Sequence, residues 1–396
     1  MWKKIVPAAM VAFAAVLMSR ILPIAQPFKP RLPVNDNGNC RLLDGPWGAE
    51  DMVVTKTGWI IASSVDGSRF MDRSCAGIAD DGRAGGLWTF RPTDPTSQPR
   101  RLEINGMPGA VVADDDDDKK KKETCFMTLG LFLSNATDRL YVVAHHGNES
   151  SIEIFSVVED NEQSAGDGGG RVVSPHLKWL RSVRSTLFPN LGLNDVVEGK
   201  TGGELYVTQF LPTWAGMPPR GRRHPANTWL QKLQQALLGP VFLLGLPVTK
   251  VLRCTFAVDD PAVPAVCRDA GGVASPPLRF RTANGIAVTE DRSMVFVSDV
   301  TAFSIVVLRR NERDGSLEKV SGQILNEDGT EPLPGVGLLI LNQRDTTDEF
   351  GKFEVSIPMD MQRLNHSVSA QRAGYHPLSQ NFTLDGGPVE FRMRKK

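Results

Sequence analysis

Two adjacent pairs of oxygen-bearing side chains in this chain, Glu50-Asp51 and Asn194-Asp195, are candidate ligands, and Asn284 supplies a further amide. Carboxylate and amide oxygens are the hard ligands that calcium takes in proteins, about six to eight at a time. Successive side chains of an extended segment point in opposite directions, so each pair presents oxygens on two sides. The same residues are also ordinary at strand edges and in turns.

Two adjacent histidines offer a group that titrates near neutral pH. His145 follows the apolar run Leu140–Ala144, and His146 stands beside it. An imidazole at such a place can take a proton from an attacking water molecule. Either ring is a candidate for the inward position, and a histidine at the surface without a catalytic role is the alternative.

The spacing of the five cysteines matches no metal-binding motif, which argues against a zinc site. Cys254 and Cys267 flank a turn rich in proline and aspartate and could join across a hairpin. The odd number leaves at least one thiol without its expected partner. The other three cysteines are Cys40, Cys75 and Cys125.

Short β-rich runs separated by Gly and Asp turns position these residues. The regular spacing predicts a sandwich, barrel or propeller rather than βαβ units. The predicted strands are Met52–Thr55, Trp59–Ser63, Gly86–Phe90, Arg101–Ile104, Leu140–Ala144, Ser151–Val157, Glu204–Gln209, Lys250–Val258, Gly285–Thr289, Met294–Ser298 and Ser304–Leu308.

Composition narrows the class of protein. The chain has 396 residues, 41% of them hydrophobic and 23% charged, so it can bury a core and is not disordered throughout. Lys and Arg together number 45 and equal Asp and Glu at 45, which argues against a nucleic-acid partner. The length suggests roughly two to four domains.

The N-terminus predicts the compartment. Trp2-Lys3-Lys4 and the apolar run Ile5–Met18 fit a signal peptide or signal anchor over residues 1–30, with a buried helix of a cytosolic protein as the alternative. We therefore expect a secretory, extracellular or lumenal glycoprotein that associates with a membrane through its N-terminus. The glycosylation acceptors that support this expectation are Asn135, Asn148, Asn365 and Asn381.

Two further segments stand apart from the β pattern. Residues 228–249 are apolar and bear Trp229, so they fit either a buried core helix or an interfacial membrane element. Asp114–Asp118, followed directly by Lys119–Lys122, predicts a solvated inserted loop.

Between residues 39 and 310 the order of several short motifs resembles the paraoxonase/arylesterase family. The resemblance implies a six-bladed β-propeller with two calcium ions in its central tunnel and activity on lactones or aryl esters. The motifs are Asn39-Cys40, Gly48–Met52, Leu140–His145, Ser151–Phe155, Leu193–Val197, Leu205–Thr208 and Ala283–Ile286.

The resemblance also implies a role for each candidate residue. The catalytic calcium would bind the carbonyl oxygen of the ester or lactone and stabilise the developing oxyanion. Asp51 and Asp195 would bind the structural calcium, and His145 would be the general base or a substrate contact. The ligands implied for the catalytic calcium are Glu50, Asn194 and Asn284.

The chain also departs from the family pattern. Ser185 stands near the place of the second histidine of the family's dyad, Leu129-Gly130 replaces a His-Gly, and Thr208-Gln209 replaces an Asn-Asp. The propeller region, residues 36–318, holds only about four blades at roughly 45–50 residues each. Two missing blades would leave one calcium site incomplete and remove the expected partner of Cys40.

The C-terminal part, residues 319–396, resembles a carboxypeptidase regulatory-like domain, which implies a prealbumin-type β-sandwich. Such modules bind or pack, and this one is a possible contact for a protein partner. The motifs are Val320–Gly329, Pro332–Val336, Thr346–Phe353 and Ala373–Tyr375.

Together these observations predict an all-β chain with a six-bladed-type propeller, shortened to about four blades, and a C-terminal sandwich. The leading function is calcium-dependent hydrolysis of lactones or aryl esters. The alternative is a catalytically impaired, calcium-stabilised, membrane-associated binding or assembly protein. A strictosidine-synthase-like or gluconolactonase-like propeller ranks third, because it would not require the adjacent pairs.

Overall fold

The computed structural model describes most of residues 43–319 and part of residues 321–394, and everything said of the structure concerns these residues. Several expectations lie outside them: the leader over residues 1–30, the Asp/Lys loop, the apolar segment apart from Val241 and residues 246–249, and Cys40, Cys75 and Cys125. None of the described residues belongs to a helix long and apolar enough to cross a membrane. The gaps are residues 44, 47, 66–84, 95–96, 109–125, 147–148, 160–173, 189–191, 213–240, 242–245, 259, 272–277, 303 and 320, with shorter ones beyond.

The described chain forms four successive β-sheets, in each of which the antiparallel strands follow one another outwards from an innermost strand, which is the arrangement of propeller blades. Blade 1 contains β1 (Ala49–Val54), β2 (Ile60–Ser64), β3 (Gly86–Phe90) and β4 (Arg100–Arg101). Blade 2 contains β5 (Ile104–Asn105), β6 (Met127–Ser134), β7 (Arg139–His146), β8 (Glu149–Val158) and β9 (His176–Val183), with β6 innermost and β5 paired to β9 at the outside.

Blades 3 and 4 follow the same plan. Blade 3 contains β10 (Leu193–Glu198), β11 (Glu204–Gln209), β12 (Lys250–Thr255) and β13 (Val266–Asp269). Blade 4 contains β14 (Ala283–Val288), β15 (Met294–Asp299), β16 (Ser304–Arg310) and β17 (Leu317–Lys319).

Apolar faces hold successive blades together. Strands of the middle blades are apolar on both faces, because one face meets the blade before and the other the blade after. In β7, for example, Leu140 and Val142 pack towards blade 1, whereas Tyr141 and Val143 pack towards blade 3. Three buried clusters result: one between blades 1 and 2 around Phe155, one between blades 2 and 3 around Leu193, and one between blades 3 and 4 around Val297.

The innermost strand of every blade has a register shift at the same place, the signature of a β-bulge. Each bulge encloses two residues. They are Glu50-Asp51 in blade 1, Leu129-Gly130 in blade 2, Asn194-Asp195 in blade 3 and Asn284-Gly285 in blade 4. The oxygen-bearing pairs singled out from the sequence therefore occupy equivalent positions of a structural repeat.

The C-terminal part forms two further sheets, as the sandwich prediction requires. One pairs β18 (Ser321–Asn326) with β21 (Lys352–Glu354) and β25 (Val389–Met393). The other joins β19 (Gly337–Ile340), β20 (Gln343–Thr346), β23 (Asn365–Gln371) and β24 (Leu378–Thr383). The remaining strand, β22 (Ser356–Pro358), pairs antiparallel with β16 and covers the edge that Ser304–Val306 would otherwise expose.

The structure confirms the all-β class and most of the predicted strands, several of them extended by a few residues. Within the four blades it also contains five strands that the pattern did not predict, namely β6, β9, β10, β13 and β17. Cys254 and Cys267 form the disulfide considered from the sequence, directly opposite each other on β12 and β13. The turn between them is therefore the expected hairpin.

Close packing around the blade 2 bulge gives a stability prediction. A Cβ added at Gly130 would collide with Asp195 Cα and lie 2.7 Å from the Asn194 carbonyl oxygen. Gly130→Ala should therefore lower the free energy of unfolding by about 1–3 kcal/mol. At Gly202 the added Cβ would meet Arg139 Nη1 at 3.4 Å, an ordinary contact. Gly202→Ala should therefore change the free energy of unfolding by less than about 0.5 kcal/mol. Urea titration of the two variants measures both changes, and equal changes would contradict the collision expected at Gly130.

Candidate functional site

The four bulges bring the predicted ligand residues to one region at the inner edges of the blades. Asp51 of blade 1 accepts a hydrogen bond from the Leu131 backbone N–H of blade 2, with 2.7 Å between Oδ2 and N. Asp195 of blade 3 does the same for Ile286 of blade 4, at 2.8 Å. Each aspartate thus reaches to the following blade, at the residue just after that blade's bulge.

Glycine in the blade 2 bulge leaves room for the Asp195 carboxylate. A Cβ at Gly130 would collide with Asp195 Oδ1, whereas one at Gly285 would lie 3.9 Å from Asp195 Oδ2, an ordinary contact. Asp195 therefore lies against the backbones of both neighbouring blades. Of the two glycines, Gly130 is the one that Asp195 sterically requires.

A hydroxyl group stands opposite three of the bulges. Ser63 Oγ accepts from the Asp51 backbone N–H at 3.0 Å and donates to the Asp51 carbonyl at 3.3 Å. Thr208 Oγ1 accepts from the Asp195 backbone N–H at 3.0 Å and donates to the Asp195 carbonyl at 3.3 Å. It also donates to the Asn284 carbonyl of the next blade. Ser298 Oγ donates to the Gly285 carbonyl at 3.3 Å. These hydroxyls satisfy backbone groups that the bulges remove from the strand ladder.

Three residues of this support were not predicted as site residues. The only sequence signal for them is a hydroxyl that ends an apolar strand, as in Ile60-Ile-Ala-Ser63, Leu205-Tyr-Val-Thr208 and Val295-Phe-Val-Ser298. Because such endings are common, the bulge itself is needed to recognise them.

The site is electrostatically unfavourable without a positive charge. Burial, together with the negative charges of Asp51 and Glu50, raises the pKa of Asp195 to about 8, although the hydrogen bonds from the backbone N–H groups of Ile286 and Val196 lower it. Burial also raises the pKa of Asp51. Like charges brought together in an enclosed place favour either a shared proton or a bound cation.

The residue types fit a hard cation. The first position of three bulges carries Glu50, Asn194 and Asn284, and the second carries Asp51 and Asp195. Among the described residues no three His, Cys, Asp or Glu side chains cluster as a metal site. Amide oxygens of Asn194 and Asn284 are present beside the carboxylates, and both kinds of oxygen are ligands that a hard cation accepts.

His145 lies beside this region but is fully buried. Its Nδ1 is 3.0 Å from Ser150 Oγ, and its Nε2 is 3.2 Å from the carbonyl oxygen of Leu193, the residue before Asn194. Burial lowers the pKa of His145 to about 3, so the ring is neutral at physiological pH. His145 thus links β7 to β10, and its catalytic role stays a prediction.

The neighbouring ring of His146 is partly exposed and is held by a carboxylate. Its Nε2 is 3.2 Å from Glu153 Oε1, with 19% of the His146 side chain exposed and none of Glu153. Burial by itself raises the pKa of the Glu153 carboxyl, but the hydrogen bonds that this carboxyl accepts outweigh burial. The pKa of Glu153 is therefore lower than its ordinary value. Besides His146 the donors are Ser151 Oγ at 2.7 Å, Ser182 Oγ at 2.6 Å and Trp179 Nε1 at 2.9 Å.

Glu153 is a fourth residue that sequence reasoning did not select. Its signal is a single acid inside the apolar run Ile152-Glu-Ile-Phe155. A charged residue at a strand position that is buried needs partners, and here it has four. A carboxylate that accepts a hydrogen bond from an imidazole in this way fixes the orientation of the ring.

The positions that depart from the paraoxonase pattern have structural roles. Ser185 Oγ accepts a hydrogen bond from the backbone N–H of Leu187 at 3.2 Å. Thr208 supports two bulges, as described above, and Gln209 is buried at the end of β11. None of these three side chains supplies an imidazole.

A scan against protein-family models and a sequence search of curated proteins both find no match. Solved structures with related folds include the periplasmic gluconolactonase of Pseudomonas aeruginosa, at 12% identity and a TM-score of 0.37 over 86% of this chain and 87% of that one. A second is a putative 6-phosphogluconolactonase from Bacteroides uniformis, at 12% identity and a TM-score of 0.34 over 84% and 70%.

A third is the major allergen Mala s 1 of Malassezia sympodialis, at 13% identity and a TM-score of 0.35 over 88% of this chain and 78% of that one. At such identities and TM-scores the likeness carries no conclusion about the chemistry of this chain. The propeller architecture rests on its own strand order and bulge repeat.

The raised pKa of Asp195 predicts how stability depends on pH in calcium-free protein. The folded state keeps a proton up to about pH 8, whereas the unfolded chain loses it near the ordinary value of 3.8. The unfolded state then binds fewer protons between these values, so stability should fall as pH rises from about 4 to about 8.

Denaturant unfolding in EDTA at pH 5 and pH 8 measures this dependence. Asp195→Asn mimics the protonated carboxyl and should flatten the decline, whereas Asp138→Asn, at an exposed residue paired with Lys56, should keep it. A full decline in Asp195→Asn would show that another group is responsible.

Proposed function

We propose that this chain is a calcium-dependent hydrolase of lactones or aryl esters, with its site where the four bulges meet. The observation that carries the proposal is the pair of aspartates, Asp51 and Asp195, whose raised pKa values favour either a shared proton or a bound cation. The amides at the first bulge positions supply further oxygens of the kind calcium binds. The paraoxonase-like motif order supports the same assignment.

The residues divide into two sets by bulge position. Asp51 and Asp195 would hold a structural ion that ties blades 1 and 3 to their neighbours. Glu50, Asn194 and Asn284 would hold the ion that polarises the substrate carbonyl and stabilises negative charge on its oxygen. Asn194 is 8% exposed, so its amide is fixed by its surroundings before any substrate binds.

His146 is our choice for the group that takes a proton from the attacking water. Its ring is partly exposed, and Glu153 stabilises the imidazolium that forms when the ring accepts a proton. His145 is better suited to positioning, because its neutral ring holds the strand that carries Asn194. This arrangement gives His146 the general-base role that the family resemblance implies for His145.

The second candidate is a calcium-stabilised binding or assembly protein without turnover. Ser185 favours it, because a serine bonded to its own loop cannot relay a proton as imidazole does. We also keep as proposals a secretory location, membrane association through the N-terminus and a protein contact through the C-terminal sheets.

Calcium-titrated thermal unfolding of the full chain, with hydrolysis of a δ-lactone and of phenyl acetate on the same preparation, separates the two functions. Calcium at about 100 times its dissociation constant should stabilise the fold by about 2.7 kcal/mol. Calcium-dependent turnover would support the hydrolase. Stabilisation without turnover would favour the binding protein, and the absence of any calcium effect would refute both.

Substitutions at the first bulge positions sharpen the test. Asn194→Ala or Asn284→Ala should lower the rate at least about 10²-fold and weaken calcium binding, because each removes an oxygen ligand. Asn105→Ala, at the outer edge of blade 2, is the matched control and should leave both unchanged. Normal turnover in the Asn194 and Asn284 variants would remove the bulges from the active site.

The two histidines are distinguished by replacement with glutamine. His146→Gln should lower kcat by about 10²–10⁴-fold, because no imidazole remains to accept the proton. His145→Gln should lower stability, because the buried His145 ring holds β7 to β10. His176→Gln, on strand β9 of blade 2, is the control. If His146→Gln keeps the wild-type rate, His146 is not the proton acceptor.

A further inference from the structure

Blade 3 holds the bulge of blade 4 at two points. The Ile286 backbone N–H of blade 4 donates to Asp195 Oδ2 at 2.8 Å. Two residues earlier, the Asn284 carbonyl accepts a hydrogen bond from Thr208 Oγ1. Thr208 and Asp195 are themselves joined, because Thr208 Oγ1 accepts from the Asp195 backbone N–H at 3.0 Å. These three hydrogen bonds form a closed circuit that fixes the backbone on both sides of Gly285.

The corresponding hydroxyl groups of blades 1 and 4 bond only their own bulge. Ser63 Oγ bonds backbone groups of Asp51 within blade 1, and Ser298 Oγ bonds the Gly285 carbonyl within blade 4. Thr208 differs from both, because its hydroxyl also crosses to the following blade. The Thr208 side chain is fully buried, so it acts on the site through the backbone that it contacts.

The additional hydrogen bond occurs at the blade junction where the following bulge carries a candidate ligand. The blade 2 bulge, which follows Ser63, contains Leu129 and Gly130, and neither has an oxygen in its side chain. The blade 4 bulge, which follows Thr208, begins with Asn284 and its amide. A fixed Asn284 carbonyl fixes the peptide unit next to the Cα atom from which this amide projects.

We propose that Thr208 is a positioning residue, whose hydroxyl holds the backbone of Asn284 so that the Asn284 amide is in place before an ion binds. The inference rests on the proposed function, in which Asn284 is a ligand of the catalytic calcium. Threonine suits this role better than serine, because its β-branched side chain has a restricted χ1 angle and directs the hydroxyl more narrowly. A ligand group that is held in place beforehand loses less conformational freedom on binding.

Amide hydrogen exchange in EDTA tests the hydrogen bond without calcium. Thr208→Val removes the hydroxyl, so exchange at the Ile286 amide should accelerate by about 2–10-fold, as expected for the loss of one hydrogen bond. Thr208→Ser keeps the hydroxyl and should restore most of the protection. The matched control is Thr89→Val, because Thr89 is 1% exposed and its hydroxyl donates to the Ile60 carbonyl within blade 1 at 2.9 Å. This control should leave exchange at Ile286 unchanged.

Calcium binding and turnover of the same variants separate positioning from a general effect on stability. Isothermal titration calorimetry should show that Thr208→Val binds calcium about 2–10-fold more weakly, with kcat/KM for a δ-lactone lower by at least the same factor. Thr208→Ser should recover most of both. Thr89→Val also loses a buried hydrogen bond and should nevertheless keep the wild-type values. If Thr208→Val does not fold, as judged by circular dichroism, Thr208→Ala takes its place.

The outcomes distinguish a failure of this inference from a failure of the proposed function. Unchanged exchange at Ile286 in Thr208→Val would overturn the hydrogen-bond circuit. Faster exchange with wild-type calcium affinity and turnover would overturn the positioning role and leave the hydrolase intact. Equal losses in Thr208→Val and Thr89→Val would indicate a general loss of stability and also overturn the positioning role. A wild type that neither binds calcium nor hydrolyses the lactone would refute the proposed function itself.

Discussion

The enclosure of two aspartates among the inner strands is the constraint on which the rest of the structure depends. Asp51 and Asp195 bridge from one blade to the next through the backbone N–H groups of Leu131 and Ile286. These hydrogen bonds fix each aspartate-bearing strand against the next blade, but they also hold the carboxylates in partly buried positions. The same carboxylates are therefore both a mechanical link and an electrostatic cost until a cation offsets it.

The same β-bulge recurs in the innermost strand of all four blades. Each inner strand interrupts its ladder at the same register, which turns two side chains towards the centre and leaves backbone groups to be satisfied. Ser63, Thr208 and Ser298 supply the missing bonds in three blades. In blade 2, where Val143 stands opposite the bulge, glycine and apolar packing replace the hydroxyl.

The sequence was enough to predict the β class, most strands and the hairpin disulfide, because these depend on local alternation and turns. It did not reveal β6 or β9, since Gly130 interrupts one apolar run and Lys178 and Arg181 interrupt the other. The pairing of His146 with Glu153 was also hidden, because it depends on how β7 lies against β8. The five oxygen-bearing residues came from motif resemblance, and only the register shifts show that they are equivalent.

The pairing of β22 with β16 has a consequence for the order of folding. Each blade is made of strands that are close in sequence, so it can form soon after it leaves the ribosome. The edge at Ser304–Val306, in contrast, meets its partner only after Pro358 has been synthesised. During that interval blade 4 has an open backbone edge, and this is the stage of biosynthesis at which a nascent chain would pair wrongly with another and most need a chaperone.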